Sequence, residues 1–314
     1  MTEYEELKKE AESVGASLCY VVIGGSRAYG TNNDKSDLDL RGCYTLDPRE
    51  YWKITKRKDE IELESCDAVA YELRKYVGLL SKCNPNVIET LGVRDRDVVY
   101  MDAAGQKIRD SKEMFLSKRA YVTFVGYAEQ QLRRLENALA RDSYPQEEKE
   151  KHISKSLNAM MLKAEMEYDS LDGTVKFGVE DGSVCVDMHV HAPLRDLVRF
   201  NSNVQNMLKN YDRLTGRNKK KDDEHLRKHA MHLLRLYMMA EDILLNKEIV
   251  TYREKEHDLL MSVRNGEVGW DKVFEMQEKM RLELDKAYEK SKLEEEPDME
   301  KVNELIVEIM EMRK

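Results

Sequence analysis

The stretch YVVIGGSRAYGTNNDKSDLDLRGCY (residues 20–44) runs an apolar strand into Gly24-Gly25-Ser26, crosses a polar loop, and then sets Asp37 and Asp39 one residue apart. A turn alone needs one glycine. A glycine pair followed by serine lets bare backbone N–H groups and a hydroxyl come close to a bound group, and phosphate oxygens suit such a place. Along a strand, residues i and i+2 share a face, so Asp37 and Asp39 are expected side by side. Two like charges so placed repel unless a cation lies between them, and hard carboxylate oxygens suit Mg²⁺.

Further along, ESCDAVAYEL offers Asp67 as a third acid on a strand that could lie beside the one carrying Asp37 and Asp39. Glu62 and Glu64 compete with it in the same segment, but an acid embedded among small and apolar residues is harder to explain as a solvated strand face. A phosphate cradle followed by a carboxylate metal seat is the equipment of phosphoryl or nucleotidyl transfer.

Around this core the chain reads in two halves. Thr2 and Glu5 are spaced as a capping box before a helix with Leu7, Ala11 and Val14 on one face. Alternating segments LDLRGCYTL and IELESCDAVAYEL read as half-buried strands, and YELRKYVGLLSKCN as a helix ended by Asn84-Pro85. Strands interleaved with helices indicate an α/β head. Beyond it, amphipathic patterns dominate: RAYVTFVGYAEQQLRRLENALA, QEEKEKHISKSLNAMMLKAEMEY, PLRDLVRFNSNVQNMLKNYDRL, EHLRKHAMHLLRLYMMAEDILL and WDKVFEMQEKMRLELDKAYEKSKL. A last helix, DMEKVNELIVEIMEMRK, puts Met299, Val302, Ile306, Ile309 and Met310 in one stripe. The segment GTVKFGVEDGSVCVDMHVHA interrupts this body with the Asp-Gly signal of a β-hairpin. The division is expected at 1–116 for the α/β head and 117–314 for a mostly helical domain with a hairpin.

Composition bounds the rest. The chain has 314 residues, 36% of them charged, with a formal net charge of −9. Such a polyanion is a poor unspecific nucleic-acid binder, although residues 216–229 gather Arg217, Lys219, Lys220, Lys221, Arg227 and Lys228. Five cysteines without a C-x-x-C pair read as buried thiols rather than as a disulfide or zinc framework. No run reaches the roughly twenty apolar residues of a membrane span, so a cytoplasmic protein without a membrane partner is expected.

Gly25-Ser26, Asp37-Leu38-Asp39-Leu40 and a later strand aspartate resemble the DNA polymerase beta-like nucleotidyltransferase superfamily. The fuller wording GSRAYGTNNDKSDLDLRGCY, with NPNVIETLG and HLLRLYMMAEDILLNKEIVTYREKEHDLLMSVRNGE, is similar to its RNA-repair-associated, RlaP-type branch. The resemblance implies a mixed-sheet nucleotidyltransferase head with a helical, acceptor-binding domain behind it. It implies that Gly25 and Ser26 hold a triphosphate, and that Asp37, Asp39 and Asp67 hold two Mg²⁺ or Mn²⁺ ions and form the catalytic set. Asp67 would activate the attacking hydroxyl, while Arg27 and Tyr29 would contact nucleotide or acceptor. The implied reaction moves an NMP from an NTP, ATP or CTP in first place, to an RNA or tRNA 3′ end. A protein hydroxyl as acceptor and a non-catalytic nucleotide sensor are the rival readings.

Three further candidates carry their own bland counterparts. His225, His229 and His232 recur along one helix with Arg235. They read as a half-buried face, or else His232 and Arg235, matching the branch's His-x-x-Arg wording, face the cleft and bind phosphate or base. Asp187, His189 and His191 share a strand face at metal-ligand spacing, yet lack an evident fourth ligand. Glu89 could brace an arginine, with a solvated helix acid as the default.

Overall fold

The computed structural model describes residues 2–34, 36–54, 58–63, 65–143, 172–180, 183–191, 193–194, 198, 205 and 223–313. Helix α1 (Glu3–Ser13) opens with the expected reciprocal cap: Glu5 N donates to Thr2 Oγ1, and Thr2 N donates to Glu5 Oε2. Leu7 and Ala11 on its inner face are buried against the sheet, among Leu18, Val21, Leu40, Tyr44 and Ile61. Strand β1 (Ala16–Ile23) is buried at six of its eight positions, which is what an uninterrupted apolar run demands.

Two glycines after β1 turn the chain into α2 (Gly25–Tyr29), a single turn closed by Gly30 in the left-handed region. Strand β2 (Asp39–Leu46) returns antiparallel to β1. The segment read as one strand divides into β3 (Glu60–Leu63) and β4 (Asp67–Glu72), an antiparallel pair. Strand β4 lies parallel to β2, and β5 (Val98–Met101) completes the order β3-β4-β2-β1-β5. The sheet is mixed, as the resemblance implied. Helices α3 (Leu73–Ser81), α4 (Pro85–Ile88) and α5 (Ala103–Asp110) connect or cover these strands.

The remainder is mostly helical: α6 (Arg119–Ser143), α7 (Asp223–Asn246), α8 (His257–Arg264), α9 (Trp270–Lys290) and α10 (Met299–Glu311). The expected hairpin is present as β6 (Asp172–Glu180) and β7 (Ser183–His191), with Glu180 facing Ser183. The helices expected around residues 146–168 and 193–214 fall almost wholly outside the described residues.

Two compact units result, one of Met1–Leu132 with Arg227–Lys314 and one of Arg133–Leu226. The closing helices therefore share a unit with the sheet, a grouping that sequence order, with its division at 1–116 and 117–314, does not describe. Helix α10 shows why. It packs on α3 and α5, buries Val302, Leu305 and Ile309, and is tied by Arg313 to Asp102 and by Lys107 to Glu308. Its stripe differs from the expected one, because Met299 is exposed and Leu305 takes the inward place. Thiols differ as well: Cys19, Cys43 and Cys83 are buried, but Cys66 is half-buried at the end of a hairpin and Cys185 is exposed. Among the described residues no helix is long and apolar enough to cross a membrane.

Candidate active site

Register creates the site. The parallel pairing of β2 and β4 sets Asp39 directly opposite Asp67, at the first residue of each strand. Strand alternation puts Arg41 on the same face as Asp39, and its guanidinium lies between the two acids. Arg41 Nη1 is 2.6 Å from Asp39 Oδ1, and Nη2 donates to Asp67 Oδ1 at 3.0 Å. Arg41 Nη1 also reaches the carbonyls of Leu40 and Asp67.

The two acids differ in solvation. The Asp67 side chain is 58% exposed, whereas that of Asp39 is 21% exposed and its Oδ1, though close to Arg41, accepts no well-aligned hydrogen bond. Burial is the main reason that the Asp39 pKa is pushed up to about 6; Arg41 opposes the shift, and the Asp67 and Glu89 charges add to it.

Above Asp39 stands the glycine turn. Gly24 N donates to Asp39 O at 2.7 Å, which anchors the start of α2 to the start of β2. Gly25 has φ +56°, and a Cβ there would lie 2.5 Å from Asp39 Oδ2. Only glycine lets the backbone run so close to that carboxylate. Ser26 is half-buried in the same turn, and its carbonyl accepts from Thr31 N at 2.9 Å.

Asp37 precedes β2 rather than lying in it, and is exposed. Arg27, also exposed, donates Nη2 to Ser36 O at 2.9 Å and Nε to Asp37 O at 3.3 Å, so it clasps the loop that carries Asp37. Glu62 is exposed on β3, and Glu64 lies outside the described residues. Register thus brings Asp39 and Asp67 together, while Asp37 stands at the approach to them. Among the described residues no three His, Cys, Asp or Glu side chains are already gathered as a metal cage, at these acids or at the exposed Asp187, His189 and His191 of β7. What fits a divalent cation is the donor chemistry. Two carboxylates adjoin, one of them with a buried oxygen that has no aligned donor, and a third acid is two residues from that one.

Behind α2 the structure places residues that sequence reasoning took for substrate contacts. The Tyr29 hydroxyl donates to Glu89 Oε1 at 2.6 Å, and Arg235 Nη2 donates to Glu89 Oε2 at 3.0 Å. The Arg235 guanidinium lies 3.5 Å from the centre of the Tyr29 ring. Arg235 is 1% exposed and Glu89 6%, so the default of a solvated acid at 89 is overturned: it is the brace of a buried arginine. Packing drives the His232 pKa well below its ordinary value, with the Arg235 charge adding to the effect, so His232 sits neutral beside that guanidinium. His229 contacts Gln131, and His225 is exposed.

Sequence reasoning missed Arg41, Thr251, Tyr252 and His257. Arg41 was readable from alternation in Asp39-Leu40-Arg41, whereas the last three announce themselves by no local pattern. A hollow of about 430 Å³ is lined by Gly92, Val93, Gln106, Arg109 and Ile249, among others, and by none of Asp37, Asp39 and Asp67.

A model of the family described as RlaP, RNA repair pathway DNA polymerase beta family, matches residues 1–161, half of the chain. The uncharacterized protein YcgL of Bacillus subtilis (strain 168) is 36% identical over 102 residues, covering 32% of this chain and 38% of that protein. The uncharacterized protein MJ0002 of Methanocaldococcus jannaschii is 33% identical over 115 residues, covering 35% of this chain and 46% of that protein. The matches thus span less than half the length of either relative. No solved structure matches. With half its length under that model, the chain belongs to the RlaP family of DNA polymerase beta-like proteins.

Proposed function

We propose that the protein is a divalent-metal-dependent nucleotidyltransferase that moves an NMP from an NTP to the 3′ hydroxyl of an RNA, with tRNA as the leading acceptor. The observation that carries this reading is the juxtaposition of the Gly25 backbone with Asp39, and of Asp39 with Asp67, in a chain of this family. Asp37, Asp39 and Asp67 would hold Mg²⁺ or Mn²⁺, which when bound supplies charge neutralisation at the phosphates and at the developing oxyanion. The backbone at Gly25 and Ser26 receives the triphosphate, ATP or CTP. Above about pH 6 Asp39 is ionised and ready for a cation, given its raised pKa. Asp67, the more exposed acid, would take the proton of the attacking hydroxyl. Arg41 holds the acid pair in place through contacts to both carboxylates.

The test is transfer of label from α-labelled NTPs to RNA with release of pyrophosphate. Wild type should label RNA 3′ ends, and the double variant Asp37→Ala with Asp39→Ala should lose about 10²–10³-fold or more. Failure of wild type to label RNA, or undiminished labelling by the double variant, overturns the reading. Label on protein alone would instead favour a protein acceptor, and nucleotide binding without turnover a sensor.

A further inference from the structure

We infer that Arg235 is a positioning residue. Acting through Glu89 and Tyr29, it fixes the Gly-Ser turn over Asp39, which makes residues 227–257 a working part of the active site. The inference rests on the function proposed above for that turn. Helix α2 has five residues, too few to hold its own shape in water. In front, its anchor is the Gly24–Asp39 backbone bond. Locally, Thr31 N donates to Ser26 O and Arg27 clasps the loop at Ser36 and Asp37, while the helix's remaining side-chain partners lie behind and come from far along the chain.

Tyr29 is gripped twice, by the Glu89 carboxylate at its hydroxyl and by the Arg235 guanidinium on its ring. Glu89 is itself held by Arg235 and, at its backbone carbonyl, by Thr251 Oγ1 at 2.6 Å. Gly30, with φ +74°, lies against the Tyr252 ring, which Arg94 covers from 3.8 Å, and Gly30 O contacts His257 Nε2 at 2.9 Å. Glu89 and Arg235 are both buried, so neither charge has water as an alternative partner, and each depends on the other. A buried ion pair and a stacked ring define one position for Tyr29, four residues from Gly25. Arg235 is 1% exposed, its Nη2 is engaged by Glu89 and His232 and its plane lies on the Tyr29 ring, so the guanidinium is held behind the turn.

The experiment uses the full chain with two conservative variants, Tyr29→Phe and Arg235→Lys, each checked by urea unfolding. Amide hydrogen exchange is measured without nucleotide over residues 24–31 and over β2. Transfer is measured well below the unfolding transition. Exchange over 24–31 is expected to quicken about tenfold in both variants while β2 stays as in wild type, and kcat of the folded protein should fall by a similar factor. Arg235→Lys keeps a charge for Glu89 and should therefore retain more activity than Arg235→Met. A purely structural role would lower the urea midpoint and leave turnover of folded protein unchanged, which overturns the inference. A direct substrate contact would raise KM with exchange over 24–31 unchanged, and that overturns it too. Absence of transfer by wild type sinks the proposed reaction instead, and the exchange arm still decides whether Arg235 sets the turn.

Discussion

In front of α2, where β2 and β4 begin, Asp39 and Asp67 share one arginine, Asp67 is largely in water, and Asp39 keeps an oxygen without an aligned donor. Behind α2, Glu89 has both carboxylate oxygens bonded, to Tyr29 and to Arg235, and its carbonyl bonded to Thr251. At the front one acid oxygen lies beside a guanidinium without an aligned donor, whereas at the back Glu89 has a partner on each carboxylate oxygen, although Arg235 keeps Nε and Nη1 without a hydrogen bond. A buried carboxylate oxygen without an aligned donor costs stability, and a cation bound there would recover that cost, whereas Glu89 already has a partner on each carboxylate oxygen. The difference separates what the turn acts with from what holds it, and substitutions on the two sides should fail in different ways.

The sharpest break comes at the back. Arg235→Met strands the Glu89 charge inside the protein, and removing one member of such a pair costs about 3–5 kcal/mol. Urea unfolding should show that loss directly. A smaller fall than about 1 kcal/mol would mean that the pair is effectively solvated and the front–back contrast is false.

These two sides were unequally legible. The turn and the Asp-x-Asp pattern lie within fifteen residues, Gly25 to Asp39, so turn chemistry and strand alternation expose Gly25 and Asp39, although Asp37 precedes the strand on which alternation would have put it. Asp67 required only that a second alternating segment pair beside the first, and parallel pairing of β2 with β4 does so. Glu89 and Arg235 are 146 residues apart, and Glu89 sits in a short 3₁₀ turn with no periodicity to mark it as inward-facing. An acid there reads as solvated until its partner arrives from another helix. For the same reason α7–α10 read as a separate body, since amphipathic spacing shows that a helix buries one face but not which surface covers it.

The paired glycines offer the next test. Gly25 and Gly30 both have positive φ, so alanine at either position strains the backbone by about 1–2 kcal/mol. Beyond that strain, a methyl at 30 meets the Tyr252 ring, which Arg94 and the neighbouring packing hold in place. At 25 its nearest neighbours are atoms of the Asp39 side chain. Gly30→Ala should therefore lose about 2–4 kcal/mol of stability, within the cost of overpacking added to strain. Gly25→Ala should lose less stability but nearly all transfer activity, because the displaced group is Asp39 itself. Equal stability losses with equal activities would erase the distinction between the two faces.

The smallest effect belongs to the front alone and is read through pH. Asp39, raised by burial to about pH 6 from an ordinary carboxylate value of 3.8, holds in the folded chain a proton that the unfolded chain releases first. Between those two values the native state binds more protons than the unfolded state, so stability falls as pH rises. The contribution is complete below about pH 4 and has gone above about pH 6, a swing of about 2 kcal/mol after allowing for partial solvation. Asp39→Asn cannot titrate. In chelator, it should flatten the stability curve across this window and exceed wild type in stability at pH 7.5, although it transfers nothing. Added Mg²⁺ should raise the stability of wild type at pH 7.5 and leave that of the variant nearly unmoved, since a cation compensates the same charge that burial penalises. Parallel curves for the two proteins in chelator would mean that Asp39 is solvated, and the front of α2 would then hold no unsatisfied acid at all.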